Sequence, residues 1–339
     1  MTKKLKILLS ISIVAEILLA LFAVFLGSVK VDVASYLFAK DTLSGYDAVI
    51  VNSRINAVIT AILTGGGLSV VGLLLQSLFN NPLADPAVLG ISSGANLGVA
   101  VYLMFAGTSL FLVNDIGIGQ HVMIILASVA GALPVLLMLL FISKHVQNKL
   151  VVLIFGLMVS FITSAMVSIL EFFSMKESLY SYVLWGMGTF SNVPDDAIWL
   201  YALILTILFI ACFFIMKPLN AMLLGDDYAT NIGVDVKFIR VLIICISGVY
   251  VAVITSFCGP IGFIGLAVPH IVRLSLKKFS NNVLLPYSFV WGGVFALVCL
   301  MITKLPVFSG ALPISIVTSI IGAPILIWIL LSQKTTIYD

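Results

Sequence analysis

Gln76-Ser77-Leu78-Phe79-Asn80-Asn81-Pro82-Leu83-Ala84-Asp85-Pro86-Ala87-Val88-Leu89-Gly90-Ile91-Ser92-Ser93-Gly94-Ala95 is a polar, proline-punctuated joint between two long apolar segments. Asn81-Pro82 and Asp85-Pro86 each push the residue before proline into an extended or turn conformation. The backbone groups freed by such a joint go unpaired in hydrocarbon. It therefore sits at a membrane surface or packed inside a bundle, and both places mark a working part.

The membrane follows from composition. The 339 residues are 62% hydrophobic and only 9% charged, against about 25% charged in a soluble domain. Runs long enough to span, about 17–25 residues each, lie near 7–28, 58–79, 90–107, 120–142, 151–172, 198–216, 238–257, 285–303 and 313–332. A shorter piece, 261–276, follows Gly259-Pro260 and holds Pro269. The predicted fold is an all-α integral membrane protein with ten transmembrane helices and both termini cytoplasmic.

Charge supports that topology. Lys3, Lys4, Lys6, Lys144, Lys149, Lys217, Lys237, Arg240, Arg273, Lys277, Lys278 and Lys334 fall inside, and Lys30, Lys40, Arg54, Lys176 and Lys304 outside. This is the excess that the positive-inside rule expects. The net charge of +3 reflects those internal loops and gives no case for nucleic acid. The basic start and apolar run resemble a secretory signal, but the run reaches about Val29 without a clear small-residue cleavage site and reads as the first span. Cys212, Cys245, Cys258 and Cys299 show no CxxC spacing and read as small packing residues.

No separate soluble domain interrupts the chain. The polar interruptions are Val29–Ser53 and Phe173–Asp196, both external, and the internal Lys217–Lys237. Within the second, Tyr180–Phe190 suits a short interfacial helix. The joint after span two has a counterpart after span seven, Gly259-Pro260-Ile261-Gly262-Phe263-Ile264-Gly265-Leu266. The two spans run in opposite senses, which gives a faint inverted repeat between spans 2–5 and 7–10, a transporter pattern. Gly65-Gly66-Gly67, Ser69 and Gly72 permit close helix approach.

Several motifs invite chemistry. Gly90-Ile91-Ser92-Ser93-Gly94 matches the nucleophile elbow of hydrolases, but it opens an apolar helix, and His121, His145 and His270 are the only histidines. The plainer reading is a helix start. Asp226-Asp227 is a pair that could hold magnesium through phosphates, as a metal-dependent prenyltransferase requires, yet the other internal acids are only Asp85, Asp235 and Asp339. A solvated loop or a contact with a partner fits better. Glu16 is the one acid well inside a span, a functional candidate by default; it is either protonated or bonded to a neighbouring helix. His270, with Arg273 beside it, reads as a capping or surface residue, and Arg54 and Lys304 as snorkelling anchors or sites for an acidic external protein. No Walker A run occurs, so any ATP-driven step needs a separate ATPase.

Four blocks resemble the permease subunit of type II ABC importers, the family that moves iron–siderophore complexes, haem and vitamin B12. They are Gly72–Ala95, Leu223–Val234, Gly259–Arg273 and Leu312–Pro324, and the resemblance runs from about Arg54 to Leu331. It implies one permease domain over residues 1–339 in a bacterial inner membrane, working as a homodimer with two cytoplasmic ABC ATPase subunits and an external substrate-binding protein. The chain would bind no cofactor or metal and catalyse nothing; ATP and magnesium would sit on the ATPase. Within the 217–237 loop, Leu224, Gly225, Asp226, Asp227, Ala229 and Gly233 would couple to the ATPase. Ser160, Thr163, Ser164, Ser168, Ser315 and Thr318 would line the path, and Asn81, Pro82, Asp85, Pro86, Gly259 and Pro260 would form structural hinges.

The chain also departs from the family. Arg-x-Pro-Arg at the outer start of span two is here Arg54-Ile55-Asn56-Ala57. Ala311 stands where many members have glutamate, and the usual Asp and Arg of span nine are Leu300 and Lys304. Docking of the binding protein would rest on Arg54 and Lys304. The competing reading is an ion-coupled carrier with inverted repeats, for which Glu16 is the only mid-membrane acid; an intramembrane hydrolase comes third.

Overall fold

The computed structural model describes residues 3–27, 31, 45–105, 120–146, 148–277, 280–305 and 312–333. Among them the regular elements are helical: α1 (Lys3–Phe25), α2 (Gly45–Phe79), a 3-10 turn (Pro86–Leu89), α3 (Ile91–Phe105), α4 (Gln120–His145), α5 (Lys149–Phe173), α6 (Lys176–Gly186), α7 (Ile198–Met222), α8 (Asp226–Asn231), α9 (Val236–Cys258), α10 (Ile264–Leu276), α11 (Asn281–Thr303) and α12 (Ile314–Gln333). Seven are long and apolar enough to cross a membrane. Three shorter apolar helices, Ile91–Met104, Ile264–Leu276 and Ile314–Trp328, occupy the places of expected spans three, eight and ten. Phe172, Trp199 and Phe214 stand about four-fifths exposed on their helices, tolerable in lipid and a liability in water.

Two elements differ from expectation. α2 begins at Gly45, so Tyr46, Asp47 and Asn52 belong to a helix and not to the Val29–Ser53 interruption, and Arg54 stands within α2 and not at its outer start. At 1.5 Å per residue its 35 residues run about 52 Å, well beyond a hydrocarbon core of about 30 Å, and the part outside the core need not be apolar. The aromatic helix expected over Tyr180–Phe190 lies four residues earlier. Gly188, with φ 70°, ends the segment, and Tyr182 and Trp185 pack with Val99, Leu103 and Val167.

The chain forms two compact units from interleaved segments: residues 1–70, 189–210 and 263–339, and residues 71–188 and 211–262. In the first, α2 and α11 cross at glycine. A Cβ on Gly65 or Gly292 would collide with the other's backbone, and one on Gly66 would meet the Phe289 ring. α1 lies along α11, where Tyr287 donates to the Leu5 carbonyl and Trp291 Nε1 to Ser12 Oγ at 3.2 Å. The Glu16 carboxyl rests against Gly293, and its Oε1 has no hydrogen-bond partner among the described residues. Phe263, in a left-handed conformation with φ 70°, packs on Gly322 of α12.

In the second unit, α3 and α4 cross just as closely. Gly94 and Gly98 face Gly131, and a methyl group on any of them would strike backbone. Polar pairs fasten α9 to both helices: Ser92 to Thr255 at 3.3 Å and Ser256 to Ser128 at 3.1 Å. The supposed serine elbow therefore follows a 3-10 turn, and its Ser92 bonds to a threonine. It is a helix start.

Candidate functional site

The joint that ends α2 satisfies its own backbone. Asn80 turns left-handed at φ 47°, Asn81 N–H reaches back to the Gln76 carbonyl, and Asn81 Oδ1 accepts from Leu83 N–H at 2.9 Å. Pro86 opens the 3-10 turn, where its missing donor costs nothing, and Gly90 closes it at φ 75°. α5 packs on this turn: a Cβ on Gly156 would meet the Val88 carbonyl, and one on Gly90 the Gly156 carbonyl. Burial raises the Asp85 carboxyl to about 6, with the Ala87 amide pulling the other way. The other joint, Gly259-Pro260, lies against the Trp185 carbonyl and Gly188, with Gly259 at φ 75°.

The loop expected to be internal narrows to residues 223–235 and holds the six-residue α8. Glycines bound it: Gly225 at φ 119° and Gly233 at φ 89°. A Cβ on either meets nothing within 4 Å, so both are required by backbone conformation and not by packing within this chain. Ala229 is fully buried on the inward side. Outward, Leu224, Tyr228, Ile232 and Phe238 are 69%, 49%, 55% and 61% exposed, with Asp227 exposed beside them. Tyr228 lies on α8, and Leu224 and Ile232 continue the apolar row into the turns before and after it. Such a row is built for a partner surface.

Asp226 faces the other way. Lys149, the first residue of α5, donates to its Oδ1 at 2.7 Å. Arg240 of α9 donates to its Oδ2 at 3.4 Å and, through its other terminal nitrogen, to the Val146 carbonyl at 3.2 Å. The sequence gives no sign of these partners, since Lys149 lies 77 positions away.

The candidate path residues divide by exposure. Ser164 and Ser168 are exposed one turn apart on α5. Thr163 is buried and donates back to the Val159 and Ser160 carbonyls, and Ser160 donates to Gly156. In the other unit, Ser315 is half-buried, while Thr318 is fully buried and bonded to the Ser315 carbonyl.

Arg54 is only 7% exposed and donates to the Val24 carbonyl at 3.3 Å, tying α2 to the end of α1. Lys304, half-buried just beyond α11, is held down to about 8 by desolvation and then by the charge of Arg54. Among the described residues, no three His, Cys, Asp or Glu side chains gather as a metal site.

Comparison with known proteins places this architecture. The model of the FecCD transport family matches residues 14–332. Vitamin B12 import system permease proteins BtuC of Salmonella newport (strain SL254) and Salmonella typhimurium (strain LT2) are 34% identical over 282 residues, 83% of this chain and 82% of theirs. Among solved structures, an inward-facing conformation of a metal-chelate type ABC transporter aligns with TM-score 0.82 at 24% identity, covering 97% of this chain and 99% of that one. PsaBC from Streptococcus pneumoniae aligns at TM-score 0.52 and 14% identity, over 88% of this chain and 95% of that one. These two support the fold alone. The chain is a multi-pass bacterial inner-membrane protein and a member of the FecCD transport family of ABC importer permeases.

Proposed function

We propose that this permease carries a large preassembled metal chelate, of the cobalamin, haem or ferric-siderophore class, into the cytoplasm by alternating access. It works as a homodimer with the path on the two-fold axis, ten spans per copy and both termini cytoplasmic. Two ATPase subunits seat on α8, and an external binding protein delivers the ligand, with Lys304 and the buried charge of Arg54 behind it as the attraction for acidic side chains. The chain itself binds no nucleotide or metal cofactor and performs no chemistry.

The observation that carries this reading is the set of exposed apolar side chains Tyr228, on α8, and Leu224 and Ile232, in the turns on either side of it, in a chain of an ABC importer family. Nucleotide-driven closure of the ATPase shifts the permease only if docking favours one of its states over the other. The vitamin B12 permeases among the relatives put cobalamin first among ligands to try.

The test is uptake into proteoliposomes of radiolabelled cyanocobalamin, haem and a ferric hydroxamate siderophore, with the external binding protein, with and without the ATPase. ATP-dependent uptake of one of them is expected. Uptake without the ATPase sinks the reading in favour of an ion-coupled carrier, and loss of that uptake in Glu16→Gln would then identify its coupling group.

A further inference from the structure

We propose that Asp226 is a positioning residue that passes movement of α8 into α5, rather than a contact for the ATPase. The inference rests on the reading of α8 as the docking helix. α8 is only six residues long and lies between glycines held in positive-φ turns, where a side chain would strain the backbone. Its apolar row faces outward, so a partner pushes on Leu224, Tyr228 and Ile232. On the inward side one carboxylate holds three elements together. It belongs to α8, accepts from the first residue of α5 and accepts from Arg240 of α9.

The charges explain the arrangement. A lysine in the first turn of a helix opposes the positive end of the helix dipole, so Lys149 is badly placed for α5 alone and well placed for Asp226. The pair is partly shielded, with side-chain exposures of 16% and 35%, and Arg240 is shielded further at 5%. Such a pair is less screened than a fully exposed one. Arg240 also grips the Val146 carbonyl just before α5, which fixes the frame against which α5 moves. From Lys149 the helix runs to Gly156, wedged on the Val88 carbonyl of the 3-10 turn, and on to the exposed Ser164 and Ser168. Displacement of α8 therefore enters α5 at its first residue.

The experiment uses the full chain in nanodiscs with its ATPase and no transported ligand. One readout is ATPase affinity. The other is the rate at which a charged methanethiosulfonate modifies a cysteine placed at Ser164 or Ser168, with and without ATP and vanadate. Asp226→Asn is expected to bind the ATPase within about twofold of the parent, while the ATP-driven change in rate falls about fivefold or more. Asp226→Glu, which keeps a carboxylate for both Lys149 and Arg240, retains most of that change although it alters the side chain's length, which a merely structural role would not predict. Leu224→Ser with Ile232→Ser gives the opposite pattern, weak association and a normal response at saturating ATPase.

The inference is overturned if Asp226→Asn keeps the full response, or loses association as severely as the double apolar variant. Should Asp226→Asn fail to fold, Lys149→Gln carries the same expectation and the same refutation. A parent protein that binds ATPase but shows no response at either serine position overturns transmission into α5. A parent that binds no ATPase refutes the importer reading itself, and this inference with it.

Discussion

Leu224→Ser with Ile232→Ser removes the two exposed aliphatic side chains that flank α8 without touching the helix itself. Full burial of such a side chain is worth about 2 kcal/mol relative to exposure. With 69% of Leu224 and 55% of Ile232 available to a partner, the losses scale to about 1.4 and 1.1 kcal/mol. Together these weaken ATPase association roughly sixtyfold. Neither side chain is buried in the isolated chain, so its thermal unfolding in detergent should move little. The assay is a titration of immobilised permease with purified ATPase at low and high salt. An apolar contact keeps its loss at both, whereas a charge contact fades as screening rises. A loss below about threefold, or one that vanishes at high salt, would refute the docking assignment.

Three further outcomes rest on the same geometry. Gly292→Val drives a side chain into the Gly65 backbone and should destabilise the protein by about 3 kcal/mol, read as a lower melting temperature in detergent; Gly262→Ala, which meets nothing within 4 Å, should be near neutral. Asp85 has its carboxyl raised from 3.8 to about 6, so the folded chain holds the proton more tightly than the unfolded one. Its contribution is present below about pH 4 and is lost as pH rises to about 6; Asp85→Asn should melt higher than the parent at pH 7, and the gap should close near pH 4. Lys304, lowered to about 8, loses its charge early, so stability should rise as pH climbs from about 8 to about 10.5. Affinity for an acidic binding protein should fall as pH rises through about 8, where the folded chain loses the charge, and Lys304→Gln should abolish both trends.

What the sequence made legible is what local chemistry decides. Pro82 and Pro86 forbid a continuous helix, and Asn80, Asn81 and Gly90 then supply the turns the backbone needs. What it concealed depends on partners far along the chain. Asp226 looked like half of an exposed acidic pair, yet Lys149 and Arg240 turn it inward and leave only Asp227 outside. Thr163 and Thr318 are path candidates through the family resemblance alone. Their bonds to carbonyls three or four residues back satisfy them within their own helices, and no sequence pattern fixes which face they occupy. Arg54, read as an outer-surface charge, is drawn inward because α1 ends with a carbonyl at Val24 that no later turn of the helix can satisfy.

The glycines of the second unit reveal where this unit can move. Gly94, Gly98 and Gly131 sit where a single methyl group would strike backbone, so α3 and α4 are locked in direct contact, and sliding would break contacts along the whole crossing. Gly225 and Gly233 have the opposite surroundings, with positive φ and nothing near the missing Cβ. Substitution at the first set costs packing, and at the second it costs backbone freedom. Deformation concentrates where packing is least close, which favours the α8 joint over the α3–α4 crossing. At that joint Asp226 ties α8 to α5 and α9 through both carboxylate oxygens, and Ala229 is buried behind it. On the proposed docking, an ATPase that pushes on α8 works against this joint and not against the α3–α4 crossing.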